Sequence, residues 1–300
     1  MNAVPSIWMI HGPTASGKTS LAIELANALG CEILSSDARQ VYRELRIGVA
    51  RPSEAELAEV RHHGIASHSI HEPLTAASYA AWAEPILRGI LAQYGSAVVV
   101  GGSGLYAKAL LEGLDPMPPA LPEFRSELEA IWLQNPEELR ARLRNLDPDY
   151  AAVADLQNPR RVLRALEVME SSGRAYSAQR RGEVGRVWPA VVREVVLESD
   201  SQWLDPRILE RSRQMMAEGL RHEALGLEAF ASLTPLQTVG YREFYEPKSR
   251  ALDDQAMTAQ IALRTRQYSK RQRTWLAKIE GSLRIPAEGA WNYLRKHASA

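Results

Sequence analysis

The sequence predicts an α/β protein: a parallel-sheet core built on a phosphate loop, carrying a mostly helical insertion domain and closed by C-terminal helices. Three observations lead there. An apolar run from Ile7 to Ile10 enters Gly12-Pro13-Thr14-Ala15-Ser16-Gly17-Lys18-Thr19, and Leu21, Ile23, Leu25 and Leu29 continue it at helical spacing. A second apolar run, Ala97 to Val100, opens in the same way into Gly101-Gly102-Ser103-Gly104. Four prolines between Leu114 and Pro122 then break regular structure and mark a boundary. The expected division is 1–121 for the first part of the core, 122–187 for the insertion and 188–300 for the completion of the core and the C-terminal helices.

The first element carries the clearest chemistry. Glycines let the backbone wrap closely round an anion, several N–H groups then point inward, and the following helix adds partial positive charge at its start. Lys18 brings a full charge to the outer phosphate oxygens, and the Thr19 hydroxyl is placed to ligate the Mg2+ that accompanies phosphate esters.

Composition narrows the class. Lysine plus arginine equals aspartate plus glutamate, 36 against 36, which argues against a general polyanion binder. The charge is nevertheless segregated: no acid lies between Asp254 and Glu280, where Arg264, Arg266, Lys270, Arg271, Arg273 and Lys278 fall. A single cysteine, Cys31, excludes an internal disulfide and a cysteine-based metal cluster. No apolar run nears the roughly 18 residues that cross a bilayer, and no secretory pattern opens the chain, so a cytoplasmic protein without membrane contact is expected; a monomer is expected too, though nothing in the sequence fixes the oligomeric state.

Taken in order, the first helix ends at Gly30 and a short strand from Cys31 finishes in Ser35-Ser36-Asp37. Ligands of a doubly wound sheet sit beyond the carboxyl ends of its strands, so Asp37 faces the phosphate loop and suits proton transfer or magnesium chemistry; capping a turn is its alternative role. His62, His63, His68 and His71 match no zinc spacing. Tyr79, Trp82, Ile86, Leu87, Ile90 and Leu91 form one core-facing helical stripe. Gly101 and Gly102 allow close backbone approach to a ligand, with the Ser103 hydroxyl at the mouth of the same crevice. In the insertion, Pro136 and Pro159 occupy first-turn positions after the candidate caps Asn135 and Asn158. Arg160, Arg161 and Arg164 stand near a helix start, where the dipole disfavours them; a polyanion or the upstream acids would account for them equally. A polar return from Ser177 to Arg186 leads to a strand from Ala190 to Leu197. A helix beginning at Asp205-Pro206 carries Arg207 and Arg211 one turn apart, Thr238 to Arg242 form a turn, and a long helix starts at Asp253. Arg266, Lys270 and Arg273 share a face of that helix; a solvated basic face is the usual explanation of such a run, but with no balancing acid and with aromatic residues interleaved, nucleic-acid contact is favoured.

The segments Gly12 to Thr19, Ser35-Ser-Asp-Ala-Arg-Gln-Val-Tyr42, Val100-Gly-Gly-Ser-Gly-Leu-Tyr106, Val239-Gly-Tyr-Arg242 and Lys270-Arg-Gln-Arg-Thr-Trp-Leu276 together resemble the tRNA dimethylallyltransferase (tRNA isopentenyltransferase) family. The resemblance implies transfer of a dimethylallyl group from its diphosphate to N6 of the adenosine just 3′ of the anticodon. It implies Asp37 as general base, Thr19 as magnesium ligand, Ser103 in the place of a family threonine at the reacting adenosine, and Arg211 beside the diphosphate held by residues 12–19. It further implies tRNA contacts from Asp37, Ala38, Arg39, Gln40 and Ser103, from Arg125, Arg160, Arg161 and Arg164, from Gln237, Thr238, Val239, Gly240, Tyr241 and Arg242, and from Arg266, Lys270, Arg271 and Arg273. The chain departs from the family pattern at Glu44-Leu-Arg-Ile-Gly-Val-Ala-Arg51 and His62-His-Gly-Ile-Ala66, which bears on rate and substrate preference. An adenylate-type isopentenyltransferase acting on a free nucleotide, and a P-loop small-molecule kinase, are the rival readings.

Overall fold

The computed structural model describes residues 4–119, 121–180, 182 and 185–297. They divide into two compact units, Met1–Leu111 with Val187–Ala300, and Glu112–Arg186.

The larger unit is organised on a six-stranded parallel sheet of order β3-β2-β4-β1-β5-β6, with β1 (Ser6–His11), β2 (Ile33–Ser35), β3 (His62–His63), β4 (Ser96–Val100), β5 (Val191–Glu198) and β6 (Leu283–Pro286). All six residues of β1 are buried, because helices cover the sheet on both sides and successive side chains alternate between them. Trp8 and Ile10 pack with Val98, Val195 and Leu197 against α1 (Lys18–Leu29). Ile7 and Met9 pack with Val99 against α3 (Ala76–Tyr94) and α4 (Gly104–Leu111); the short α2 (Glu54–Glu59) precedes them. The aromatic stripe is core: Tyr79 is fully buried and stacks on Tyr106 at 4.3 Å. Gly30 ends α1 at φ 61°, the left-handed conformation that glycine tolerates.

The smaller unit holds α5 (Pro122–Gln134), α6 (Pro136–Leu146), α7 (Pro148–Val153), α8 (Pro159–Ser172) and α9 (Tyr176–Gln179). Leu128, Leu139, Leu143, Val162 and Leu166 form its core. Asn158 caps α8 by accepting the Arg160 N–H at 3.1 Å, whereas Asn135 makes no such bond and only Pro136 marks the start of α6. In the polar return, residues 181, 183 and 184 lie outside the described set.

The larger unit resumes with α10 (Ser201–Ala217), α11 (Leu220–Gly226), α12 (Arg242–Tyr245), α13 (Asp254–Leu276) and α14 (Ala290–His297). The helix expected from Asp205-Pro206 starts a turn earlier, because Asp200 accepts the Trp203 N–H at 2.8 Å and leaves Pro206 inside α10. A separate apolar cluster of Val41, Tyr42, Leu45, Tyr241, Phe244 and Ile261 ties the 38–74 segment to α11, α12 and α13. Among the described residues no helix is long and apolar enough to cross a membrane. Cys31 is buried, and burial pushes its thiol up to about 11.

Candidate active site

The carboxyl ends of β1, β2 and β4 converge, and each delivers one functional segment. From β1 the phosphate loop turns through Gly17 at φ 82° into α1. A Cβ on Gly12 would stand 2.7 Å from the Ser16 hydroxyl and 3.0 Å from Leu197, so this approach excludes any larger residue. Lys18 Nζ donates to the Pro13 carbonyl at 2.6 Å, and Arg207 of α10 donates to the Ala15 carbonyl at 3.0 Å.

From β2 comes Asp37. Its Oδ1 accepts the N–H groups of Arg39 (2.8 Å) and Gln40 (3.2 Å), so Asp37 caps a turn; its Oδ2 is directed towards Gly102, 3.7 Å from where a Cβ there would stand. The capping and the functional reading are thus compatible, one oxygen serving each. From β4 come Gly101, where a Cβ would lie 2.3 to 2.6 Å from Ser36, and Ser103, whose hydroxyl oxygen accepts the Ala38 N–H at 2.9 Å. That bond leaves the Ser103 O–H available as a donor.

Helix α13 closes the arrangement. Gln272, nearly buried, accepts the Thr14 N–H at 2.9 Å and donates to the Gly102 carbonyl at 3.1 Å, so one amide bridges the phosphate loop and the β4 turn. The Trp275 ring lies 2.4 Å from where a Cβ on Gly104 would sit and 5.9 Å from the His11 ring. Gly12, Gly101, Gly102, Tyr268, Gln272 and Trp275 help to line a cavity of about 160 Å³. Gln272 carries no charge to draw notice in a sequence; its position inside Lys-Arg-Gln-Arg-Thr-Trp is the one signal that could have found it.

The electrostatics favour an anion. Burial pulls the Lys18 ammonium down to about 7, with Asp37 opposing the shift and Arg211 adding to it. Burial likewise lowers Arg211, against the pull of Asp37. Two cations whose charge is penalised by burial are relieved when a polyphosphate arrives. The Ser16 and Ser36 hydroxyls, buried and without hydrogen-bond partners, flank the same glycine cradle. Among the described residues no three His, Cys, Asp or Glu side chains converge on a metal position. A phosphate-borne magnesium fits nonetheless, since it takes one or two protein oxygens and completes its shell with phosphate and water; Thr19 in the first turn of α1 is the donor at hand.

The remaining candidates are dispersed. Tyr241 is fully buried, and its O–H donates to Glu223 at 2.5 Å, so its side chain is a core anchor and a tRNA contact at this position would be made by backbone. Beside it Val239 is partly buried against the same cluster, and Gly240 takes φ 99° with its N–H donated to Glu243. Gln237 and Thr238 precede them, Gln237 donating to the Ala231 carbonyl. Arg242 lies 3.6 Å from Glu243 and 3.9 Å from Glu246. The α13 basic run has distant partners: Arg264 pairs with Glu246, Arg266 approaches Asp205 at 3.7 Å, and Arg273 donates to the Ser201 hydroxyl. Lys270 and Arg271 are exposed, Arg271 standing over the Tyr268 ring. In the smaller unit Arg125 and Arg164 pair with the buried Glu167, while Arg160 and Arg161 are exposed at the start of α8. The four histidines go separate ways: His63 to Glu32, His62 to the Val60 carbonyl, His68 to Ser67 and His71 against Phe230.

Comparison with known proteins agrees with this geometry. The IPP transferase family model matches residues 40–279. The tRNA dimethylallyltransferase of Chlorobium limicola is 41% identical over 278 residues, 90% of this chain and 87% of that protein. tRNA dimethylallyltransferase 1 of Porphyromonas gingivalis is 34% identical over 274 residues, 91% of each. The crystal structure of a tRNA isopentenylpyrophosphate transferase from Bacillus halodurans superposes with a TM-score of 0.70 at 28% identity, covering 98% of this chain and 96% of that one. A eukaryotic dimethylallyltransferase acting on tRNA shares the fold, with a TM-score of 0.80 at 22% identity over 98% of this chain and 77% of its own. The phosphate loop, the Asp37 turn and the Gln272 bridge therefore belong to a member of the IPP transferase family, the tRNA dimethylallyltransferases.

Proposed function

We propose that the protein, as a cytoplasmic monomer, transfers the dimethylallyl group of dimethylallyl diphosphate to N6 of the adenosine 3′-adjacent to the anticodon of a tRNA, at tRNA position 37. The observation that carries this reading is the placement of the Asp37 carboxylate and the Ser103 hydroxyl in the loops that follow the adjacent strands β2 and β4, joined through the Ala38 N–H. A nucleotide kinase needs the loop, but a carboxylate with one oxygen fixed and the other directed at the ligand crevice suits removal of a proton from an acceptor amine.

The chain's residues divide the work. The diphosphate lies in the loop of residues 12–19, where backbone N–H groups, Lys18 and Arg211 accept the charge that grows as the allylic C–O bond breaks. Thr19 would hold a magnesium ion there, which would supply further neutralisation of that leaving group. The N6 nitrogen forms the new C–N bond and gives its proton to Asp37 Oδ2, while Oδ1 stays held by Arg39 and Gln40. Ser103 donates to the adenine. The target base must leave the anticodon-loop stack to reach this depth, and basic residues of α13 hold the backbone meanwhile.

The test presents the purified protein with dimethylallyl diphosphate and, separately, an anticodon stem-loop, adenosine monophosphate and a nucleoside triphosphate. Prenylated adenosine in the stem-loop alone is the expected result. Prenylation of the free nucleotide, or phosphoryl transfer from the triphosphate, would replace this reading with the corresponding rival.

A further inference from the structure

Glu223 sits on α11, away from the phosphate loop, yet its carboxylate holds an unusual set of partners. It accepts the N–H of Ile47 at 3.0 Å to both oxygens, of Gly48 at 3.3 Å and of Arg46 at 3.4 Å, together with the Tyr241 O–H at 2.5 Å. Three successive backbone N–H groups and a phenol thus converge on one anion, the arrangement of an anion nest filled by the protein's own side chain.

The fit leaves no slack. A Cβ on Gly48 would stand 2.5 Å from the Tyr241 ring, and a Cβ on Gly240 would stand 2.9 Å from the Gly48 carbonyl. Just beyond, Gln40 donates its side-chain amide to the carbonyls of Val49 (3.3 Å) and Ala50 (2.9 Å). Ala50 adopts φ 45°, a left-handed conformation a non-glycine residue keeps only when its surroundings enforce it. Gln40 is also the residue whose backbone N–H, with that of Arg39, fixes Asp37 Oδ1.

We propose that Glu223 is a positioning residue for the transfer reaction: by gripping 46–48 against Tyr241 it sets the 49–50 carbonyls that hold Gln40, and through Gln40 it aims the Asp37 carboxylate. This rests on Asp37 acting as the base of the proposed reaction. It also gives the 44–51 departure from the family pattern a physical role, since what the segment must present to Glu223 is backbone, and backbone N–H groups are indifferent to most side-chain changes.

Three variants test it. Glu223→Gln preserves size but turns a donor towards the N–H groups of 46–48; Tyr241→Phe removes only the O–H; Gln40→Ala cuts the last link. Under this proposal Glu223→Gln lowers kcat on the order of 10²-fold, the usual cost of a misplaced catalytic group, with the KM for dimethylallyl diphosphate within about twofold of wild type. Amide exchange of Arg39 and Gln40 accelerates in both Glu223→Gln and Tyr241→Phe, and the kcat losses of Glu223→Gln and Gln40→Ala fail to add in the double variant. Unchanged kcat per folded molecule, unchanged exchange at 39 and 40, or fully additive losses would overturn it. If wild type itself transfers nothing to the stem-loop, the proposed function fails, while the exchange measurement still decides whether Glu223 orders the Asp37 turn.

Discussion

Replacing Gln272 by glutamate separates its two bonds. The carboxylate still accepts the Thr14 N–H, but now faces the Gly102 carbonyl, oxygen against oxygen, at a separation of 3.1 Å in the parent. The Gln272 amide nitrogen and Asp37 Oδ2 lie 2.7 and 3.7 Å from one point above Gly102, hence within about 6 Å of each other. Two negative charges at that distance repel by about 3 kcal/mol at an effective dielectric of about 20; the repulsion of Asp37 is present with or without donor, whereas a diphosphate oxygen at a comparable distance is repelled by a similar amount only on binding. The KM for dimethylallyl diphosphate should therefore rise on the order of 10²-fold. Gln272→Leu is the neutral counterpart. It forfeits both bonds, each contributing about 0.5–1.5 kcal/mol, and lowers Tm by several degrees, yet adds no charge. The assay is donor KM at saturating stem-loop, alongside thermal unfolding of each variant. If Gln272→Glu matches wild type in donor KM, or if Gln272→Leu is the worse binder of the two, the bridge does not sit beside the diphosphate and the site geometry is wrong.

Further outcomes are expected. With Lys18 near 7 instead of the ordinary 10.5, the unfolded chain binds more protons at this group between those values, so the Lys18 contribution to stability rises with pH from about 7 to 10.5, opposed above about 9 by the raised Cys31 thiol; the difference in thermal unfolding between wild type and Lys18→Met should show this slope. Because the diphosphate needs the charged form, donor KM should be flat below about pH 7 and climb above it, a dependence absent from the Lys18 variant. Asp37→Ala should fold and bind donor but lose about 10²-fold or more in single-turnover transfer, and an unchanged rate would leave Asp37 as a turn cap only. Neutralising the exposed Lys270 and Arg271 should flatten the salt dependence of stem-loop binding by roughly one ion for each phosphate no longer neutralised, whereas Arg266, already facing Asp205, should change the slope less.

The strand-loop-helix at Gly12 to Thr19 was legible because its chemistry is local: glycine, lysine and threonine at fixed spacing between an apolar run and a helical one. The same holds for Asp37 and Ser103, which strand ends place without reference to distant residues. Long-range pairing was not legible. The basic run of α13 lacks acids along the chain, yet Glu243, Glu246 and Asp205 arrive from other helices and turns. Tyr241 lies in a turn that the resemblance implies contacts tRNA; its burial depends on Glu223 and Gly48, neither of which marks it in sequence. The start of α10 was missed for a local reason, Pro206 being a stronger signal on paper than the Asp200 cap proved to be in the fold.

The strand order has a consequence for synthesis. On one side β1 pairs with β4, and on the other with Val191 to Val196 of β5, so its second edge waits for a segment emerging far later. Until then the nascent chain carries an apolar strand with open hydrogen-bonding groups, the feature that invites pairing with a foreign strand. The intervening residues of the smaller unit are helical and close on one another over short stretches of chain, the kind of structure that forms fastest. The insertion can thus fold while the sheet is unfinished, and the site, which needs α13 as well, is assembled only near the end of translation. A ribosome that pauses anywhere before β5 has emerged leaves the Ile7 and Met9 strand with one edge open, so the whole of that interval is the one a chaperone has to protect.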